Sequence, residues 1–153
     1  MNDHALLNNY LQSIIGTRWE TLNFACEMMM FGFETYALHA QCFARIICGE
    51  EILVTTSDYQ SWDGESEGNN DEWYFAEKYK SRITGGIVTA VNVTAFHDVE
   101  IVMENGVKIE LFIQNGHHHF GGEQEQWVFF KPGDHAYPFI TVYNKTVDLA
   151  ENW

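Results

Sequence analysis

The residues with the most reactive side chains are His117, His118, His119 and Glu123, set as His-His-His-Phe-Gly-Gly-Glu. Alternate residues of an extended strand share a face, so His117 and His119 can point together. Two imidazoles and the carboxylate of Glu123 would suit an open Fe, Mn or Zn site. Gly116 and Gly121-Gly122 flank the triplet, which also reads as an exposed hairpin loop. A second concentration of chemistry is anionic. Asp58, Asp63, Glu65, Glu67, Asp71 and Glu72 fall together with Tyr59 and Trp62, and no base occurs between Arg45 and Lys78. Carboxylates beside an exposed aromatic can grip a cationic surface. The same stretch holds Gly, Ser and Asn and too little apolar surface to order itself, so it equally reads as a solvated loop.

The whole chain has 22 acids against 8 bases and a formal net charge of -14. Phosphate binding needs clustered Lys and Arg, so neither nucleic acid nor an anionic membrane is an expected direct partner. The charge is uneven: residues 1–77 hold thirteen acids and two bases, Arg18 and Arg45. At 153 residues, 46% hydrophobic and 15% aromatic, the chain reads as a single folded domain. Cys26, Cys42 and Cys48 are odd in number and sit among apolar neighbours, as expected of reduced, buried thiols rather than a disulfide framework. The start, Met1-Asn2-Asp3-His4, lacks the pattern of a secretory leader. No apolar run approaches the ~20 residues of a spanning helix, and the expected compartment is the cytoplasm.

The elements that would position these groups are mostly strands. Leu7, Tyr10, Leu11 and Ile14 recur at helical spacing, which predicts a helix over 3–15 with its apolar face in a core. Beyond Gly16 the chain carries a weak internal duplication. One unit, 16–77, runs from Gly16 through Gly49-Glu50-Glu51-Ile52-Leu53-Val54 to Trp73-Tyr74-Phe75. The other, 82–130, runs from Gly85 through Gly106-Val107-Lys108-Ile109-Glu110-Leu111 to Trp127-Val128-Phe129. Within these, 18–24 alternates with Glu20, Leu22 and Phe24 on one side, 38–47 and 51–56 form a hairpin, and Asn105-Gly106 marks a hairpin between 99–103 and 107–113. Met28 to Phe33 is apolar throughout and reads either as a buried strand or as an inserted turn. A last strand is expected at 139–143. The matched Trp and Phe pairs read as packing that both units need. The fold class that follows is α+β: an N-terminal helix packed on a mainly antiparallel β-sheet system built from the two units. A homodimer through an exposed strand edge is an alternative to a monomer.

Two family resemblances follow. His117-x-His119-x3-Glu123 is similar to the first ligand motif of the cupin β-barrels, and Lys131-Pro132-Gly133-Asp134 resembles a cupin turn. Phe130 stands where that family expects a glycine, no second motif follows, and His135 is merely nearby. The whole chain, with its solitary helix, the Gly85 to Leu111 hairpin pattern, the Trp127-Val128-Phe129 strand and the acidic stretch, resembles an immunity protein of a bacterial contact-dependent growth inhibition toxin/immunity system. That resemblance implies a cytoplasmic, non-enzymatic, cofactor-free toxin inhibitor. It would bind a cognate cationic toxin domain, often a nuclease, and occlude its active site by protein–protein interaction. Asp58, Tyr59, Trp62, Asp63, Glu65, Glu67, Asp71 and Glu72 are the expected partner-binding residues, as carboxylates beside aromatics. The alternatives are a metal-dependent enzyme using His117, His119 and Glu123, and a small-ligand-binding β protein.

Overall fold

The protein is described by a computed structural model over residues 3–60, 81–114, 124–133 and 137–150, with the side chains of Tyr59 and Gln60 excepted. Helix α1 covers Asp3–Leu11 and continues as a single 3-10 turn over Gln12–Ile14, slightly short of the predicted 3–15. Leu7, Leu11 and Ile14 are buried, as their spacing requires, and Tyr10 packs partly against the same core. The strands are β1 (Trp19–Ala25), β2 (Met28–Phe33), β3 (Tyr36–Ala40), β4 (Phe43–Cys48), β5 (Glu51–Thr55), β6 (Val88–Val93), β7 (Val99–Met103), β8 (Val107–Phe112), β9 (Trp127–Phe130), β10 (Phe139–Val142) and β11 (Val147–Ala150), with a short helix α2 (Thr56–Gln60) after β5.

They form two antiparallel sheets. One has the order β1-β2-β3-β9-β10-β11 and the other β5-β4-β8-β7-β6. Their inward residues meet in one hydrophobic core, so the fold is α+β with layered sheets and a helix. The two similar sequence units do not form separate bodies. Each sends strands to both sheets, and their opening glycines face one another: Gly16 N–H donates to the Val88 carbonyl, Gly85 N–H donates to the Trp19 carbonyl, and Arg18 and Ile87 form a bridge. Gly16, Gly49, Gly85 and Gly106 all have positive φ, which explains why the duplication is visible mainly as glycine. Trp127 and Phe129 are fully buried, while Trp73 and Phe75 lie outside the described residues.

Three expectations are corrected. The run 38–47 is not one strand: it breaks at Gln41-Cys42, where the chain leaves the first sheet for the second. Both of those amides donate to the Gln126 carbonyl at 2.9 Å, and buried Gln126 is itself satisfied through Gln114 N–H (2.8 Å) and the Gln124 carbonyl. Strand β10 is not the last, because β11 adds a further edge. In β1 a bulge between Trp19 and Thr21 resets the alternation, so Trp19 is buried while Glu20 is exposed, and Leu22 and Phe24 pack against the core. Of the thiols only Cys42 is fully buried, and burial pushes it up to about 12; Cys26 is exposed in the β1–β2 turn.

Helix α1 also closes an edge. Strand β6 would otherwise present a free row of backbone groups. Asn8 Oδ1 accepts from Val93 N–H at 3.2 Å, Gln12 Nε2 donates to the Val91 carbonyl at 3.1 Å, and Val88 N–H donates to Thr17. Dimerisation through that edge would have to displace the helix.

The outward face of the six-stranded sheet is less polar than a solvated antiparallel sheet normally is. Its register lines up Asn23, Met30, His39, Val128, Thr141 and Asp148 in one row. The next row is Thr21, Gly32, Ala37, Phe130, Phe139 and Ala150. Met28 to Phe33 is therefore a strand apolar on both sides: Met29, Phe31 and Phe33 face the core, and Met30 and Gly32 face outward. Phe130 bridges His39 (4.9 Å, edge-on) and Phe139 (5.3 Å) on that face.

Candidate functional site

Among the described residues a cleft lies where β6 turns into β7. Thr94 organises the turn: its Oγ1 accepts from Phe96 N–H (3.3 Å) and Asp98 N–H (3.1 Å), its carbonyl accepts from His97 N–H, and its own N–H donates to the Asp98 carbonyl. These bonds are the local reason a Thr-x-x-x-Asp sequence closes here. Two further bonds fix the turn to the body of the protein. Trp127 Nε1 donates to the His97 carbonyl at 2.9 Å, and Asp98 Oδ1 accepts from Ile113 N–H at 2.8 Å.

His97 is the strained member. Its φ is 71°, a region where a non-glycine residue is uncommon and often functional. The residue is 7% exposed, and its buried Nδ1 meets no hydrogen-bond partner among the described residues. Phe96, beside it, is 79% exposed, the most exposed large apolar side chain among the described residues. A cleft of about 810 Å³ opens there, bounded by the turn, by Asp3 and His4 at the start of α1, by Gln114, and by Asn144 and Lys145 of the β10–β11 turn. Asn144 Nδ2 donates to the Gln114 carbonyl at 2.6 Å and ties the far wall to the end of β8. The site therefore offers an exposed aromatic on a braced turn, two carboxylates and one ammonium around a cavity of small-molecule or side-chain size.

Burial lowers the His97 pKa, with His4 acting in the same direction and Asp3, the Tyr143 carbonyl and Asp98 opposing. Burial also lowers the pKa of His39 on the six-stranded sheet. Both shifts favour the neutral imidazole in the folded protein. A histidine depressed on folding contributes stability that is present above its unfolded pKa of about 6.5 and lost as pH falls through its folded value. Urea denaturation at pH 7.5 and 5.5 should show a lower midpoint at the acid value. His97→Asn, which tolerates the left-handed backbone, should flatten that dependence; an unchanged slope would mean that His97 does not contribute.

The predicted partner residues are only partly placed. Asp58 is at the third position of α2, where its Oδ2 accepts from Thr55 N–H (2.8 Å) and Thr55 Oγ1 (3.1 Å), the acid half of a capping box. That carboxylate is occupied in starting a helix. Tyr59 lies in the same helix. Trp62, Asp63, Glu65, Glu67, Asp71 and Glu72 lie outside the described residues, as do His117, His119, Glu123 and His135. The stretch also contains Gly64-Glu65-Ser66-Glu67-Gly68, the spacing of a hydrolase nucleophile elbow; it too lies outside the described residues, and the adjacent Ser61-Trp62-Asp63 is no β-rich run of the kind that motif follows. Among the described residues no three His, Cys, Asp or Glu side chains are grouped to hold a metal ion, and no helix is long and apolar enough to cross a membrane.

Sequence reasoning passed over Phe96 and His97. The available signal was local: a bulky aromatic inside Thr94-Ala95-Phe96-His97-Asp98, between two valine-rich runs, has no place in either strand's alternation. Comparison of the chain with protein-family models, with curated proteins and with solved structures finds no match.

Proposed function

We propose that this protein binds and neutralises a cationic protein domain, acting in the cytoplasm as the immunity proteins it resembles do. Phe96 carries the proposal. An aromatic side chain exposed to 79% on a braced turn beside Asp3 and Asp98 is placed like an interface anchor, because the backbone that carries it has little ordering entropy left to lose on docking. The net charge of -14 supports the choice of a basic partner, since long-range attraction raises the encounter rate with a cationic cleft such as that of a nuclease. Occlusion of that cleft requires no reaction by this chain.

The test is co-expression with any cationic toxin domain that an open reading frame next to that of this chain encodes, followed by affinity measurement at 50 and 200 mM salt. A tight complex that weakens with salt and with Phe96→Ala is the expected result. Failure of the two proteins to associate would overturn the proposal.

The cleft volume favours a second reading, a small-ligand carrier, since about 810 Å³ falls within the range of small-molecule pockets. Native mass spectrometry of untagged protein decides it: a retained mass lost on Phe96→Ala supports the carrier, and bare protein opposes it.

A further inference from the structure

We infer that the outward face of the six-stranded sheet carries a seat for one arginine side chain of a protein partner. A separate groove of about 310 Å³ crosses β1, β2 and β3 on that face. Gly32 and Ala37, cross-strand neighbours, keep it open. A Cβ on Gly32 would lie 2.3 Å from Thr21 Oγ1, so a larger residue cannot be accommodated there without movement. Met30 and His39, the next cross-strand pair, bound the groove, and Pro132 bounds it from the segment after β9. Glu20 and Glu34 also line it, as do Asn23 and Tyr36.

The occupant follows from charge and shape. Glu20 and Glu34 are exposed, and neither forms an ion pair with a described residue; the described pairs are Arg45–Glu110 and Arg82–Glu51. Burial lowers the His39 pKa and so favours the uncharged ring, an aromatic surface over a repelling cation. A side chain with an apolar stem and a cationic head fits such a lining. The planar guanidinium stacks on aromatic rings and pairs with carboxylates in a fixed fork, which favours arginine over lysine.

Glu34 sits in the two-residue β2–β3 turn at φ 53°, a conformation that glycine adopts without penalty and glutamate does not.

The source of the arginine rests on the proposed binding of a cationic protein, but the seat is testable alone. Isotope-labelled protein is titrated with Nα-acetyl-arginine methylamide, and the lysine and citrulline analogues serve as probes of head-group shape and charge. Saturable shifts at the amides of Thr21, Gly32 and Ala37 are expected with arginine, weaker ones with lysine and none with citrulline. Glu20→Gln with Glu34→Gln should weaken the arginine probe by about tenfold. Equal response to citrulline or lysine, or no response to the double substitution, would overturn the assignment. Glu34→Gly gives a second readout: it should raise Tm by about 3 °C while weakening the arginine probe. A Tm gain with unaltered probe binding would leave Glu34 no role in the seat. If a cationic toxin domain binds wild type and the double variant alike, the seat fails and the proposed function stands. If no cationic domain binds while the arginine probe still saturates, the proposed function fails and the seat stands.

Discussion

Replacing Trp127 with alanine is expected to destabilise the protein by about 3–5 kcal/mol, the range for removing a large buried aromatic. For a chain of this size that lowers Tm by about 10 °C. The indole is fully buried, on a strand that pairs with β3 through Ala40 and with β10 through Val142, so its loss opens a cavity where the six-stranded sheet is joined at its centre. Trp127→Phe separates the two roles of the side chain. It keeps an apolar ring but removes the donor to the His97 carbonyl, leaving a buried acceptor unmet at a cost of about 1–3 kcal/mol. The second consequence is local: the Thr94–Asp98 turn loses its anchor to β9. Urea unfolding measures the first effect, and amide exchange at His97 and Asp98 measures the second. Unchanged exchange in Trp127→Phe would show that Thr94 and Ile113 hold the turn without the indole.

The largest expected effect on binding is that of Phe96→Ala. An exposed anchor contributes little to folding, so stability should stay within about 0.5 kcal/mol of wild type. Affinity for the cationic partner should fall by about 2 kcal/mol or more, roughly thirtyfold. The loss should appear in the dissociation rate, because a contact made only after docking does not steer approach. Asp63→Lys, Glu65→Lys and Glu67→Lys together should act oppositely, slowing association and reducing its dependence on salt. A Phe96→Ala variant that dissociates like wild type would remove the β6–β7 turn from the interface. A triple reversal that leaves association and its salt dependence untouched would remove the acidic stretch.

The contrast between these sites shows what can be read along a chain. The helix face of Leu7, Leu11 and Ile14 was visible because a periodicity needs only neighbours at fixed spacing. The β7–β8 hairpin was visible because Asn-Gly specifies a turn almost alone. The break at Gln41-Cys42 was not, since nothing in Leu38 to Ile47 announces that the carbonyl of Gln126, far along the chain, will receive both amides. The β1 bulge was hidden for the same reason: one extra residue inverts the alternation, and only the partner strand counts it. The Met28 to Phe33 run was legible as apolar but not as two-sided, because which face meets the core depends on pairing with β1 and β3.

Composition, periodicity and turn chemistry by themselves determined an acidic α+β chain with an amphipathic helix, antiparallel hairpins and a buried Trp127–Phe129 strand. These properties belong to residues and their near neighbours. Only the tertiary structure decided that the two similar units interleave between sheets, that Asn8 and Gln12 close the β6 edge, and that Phe96 stands exposed on a turn pinned by Trp127. Each of those depends on groups distant in sequence meeting at hydrogen-bond or van der Waals range, and the cost of an unmet buried polar group selects such meetings only when the whole chain is in place.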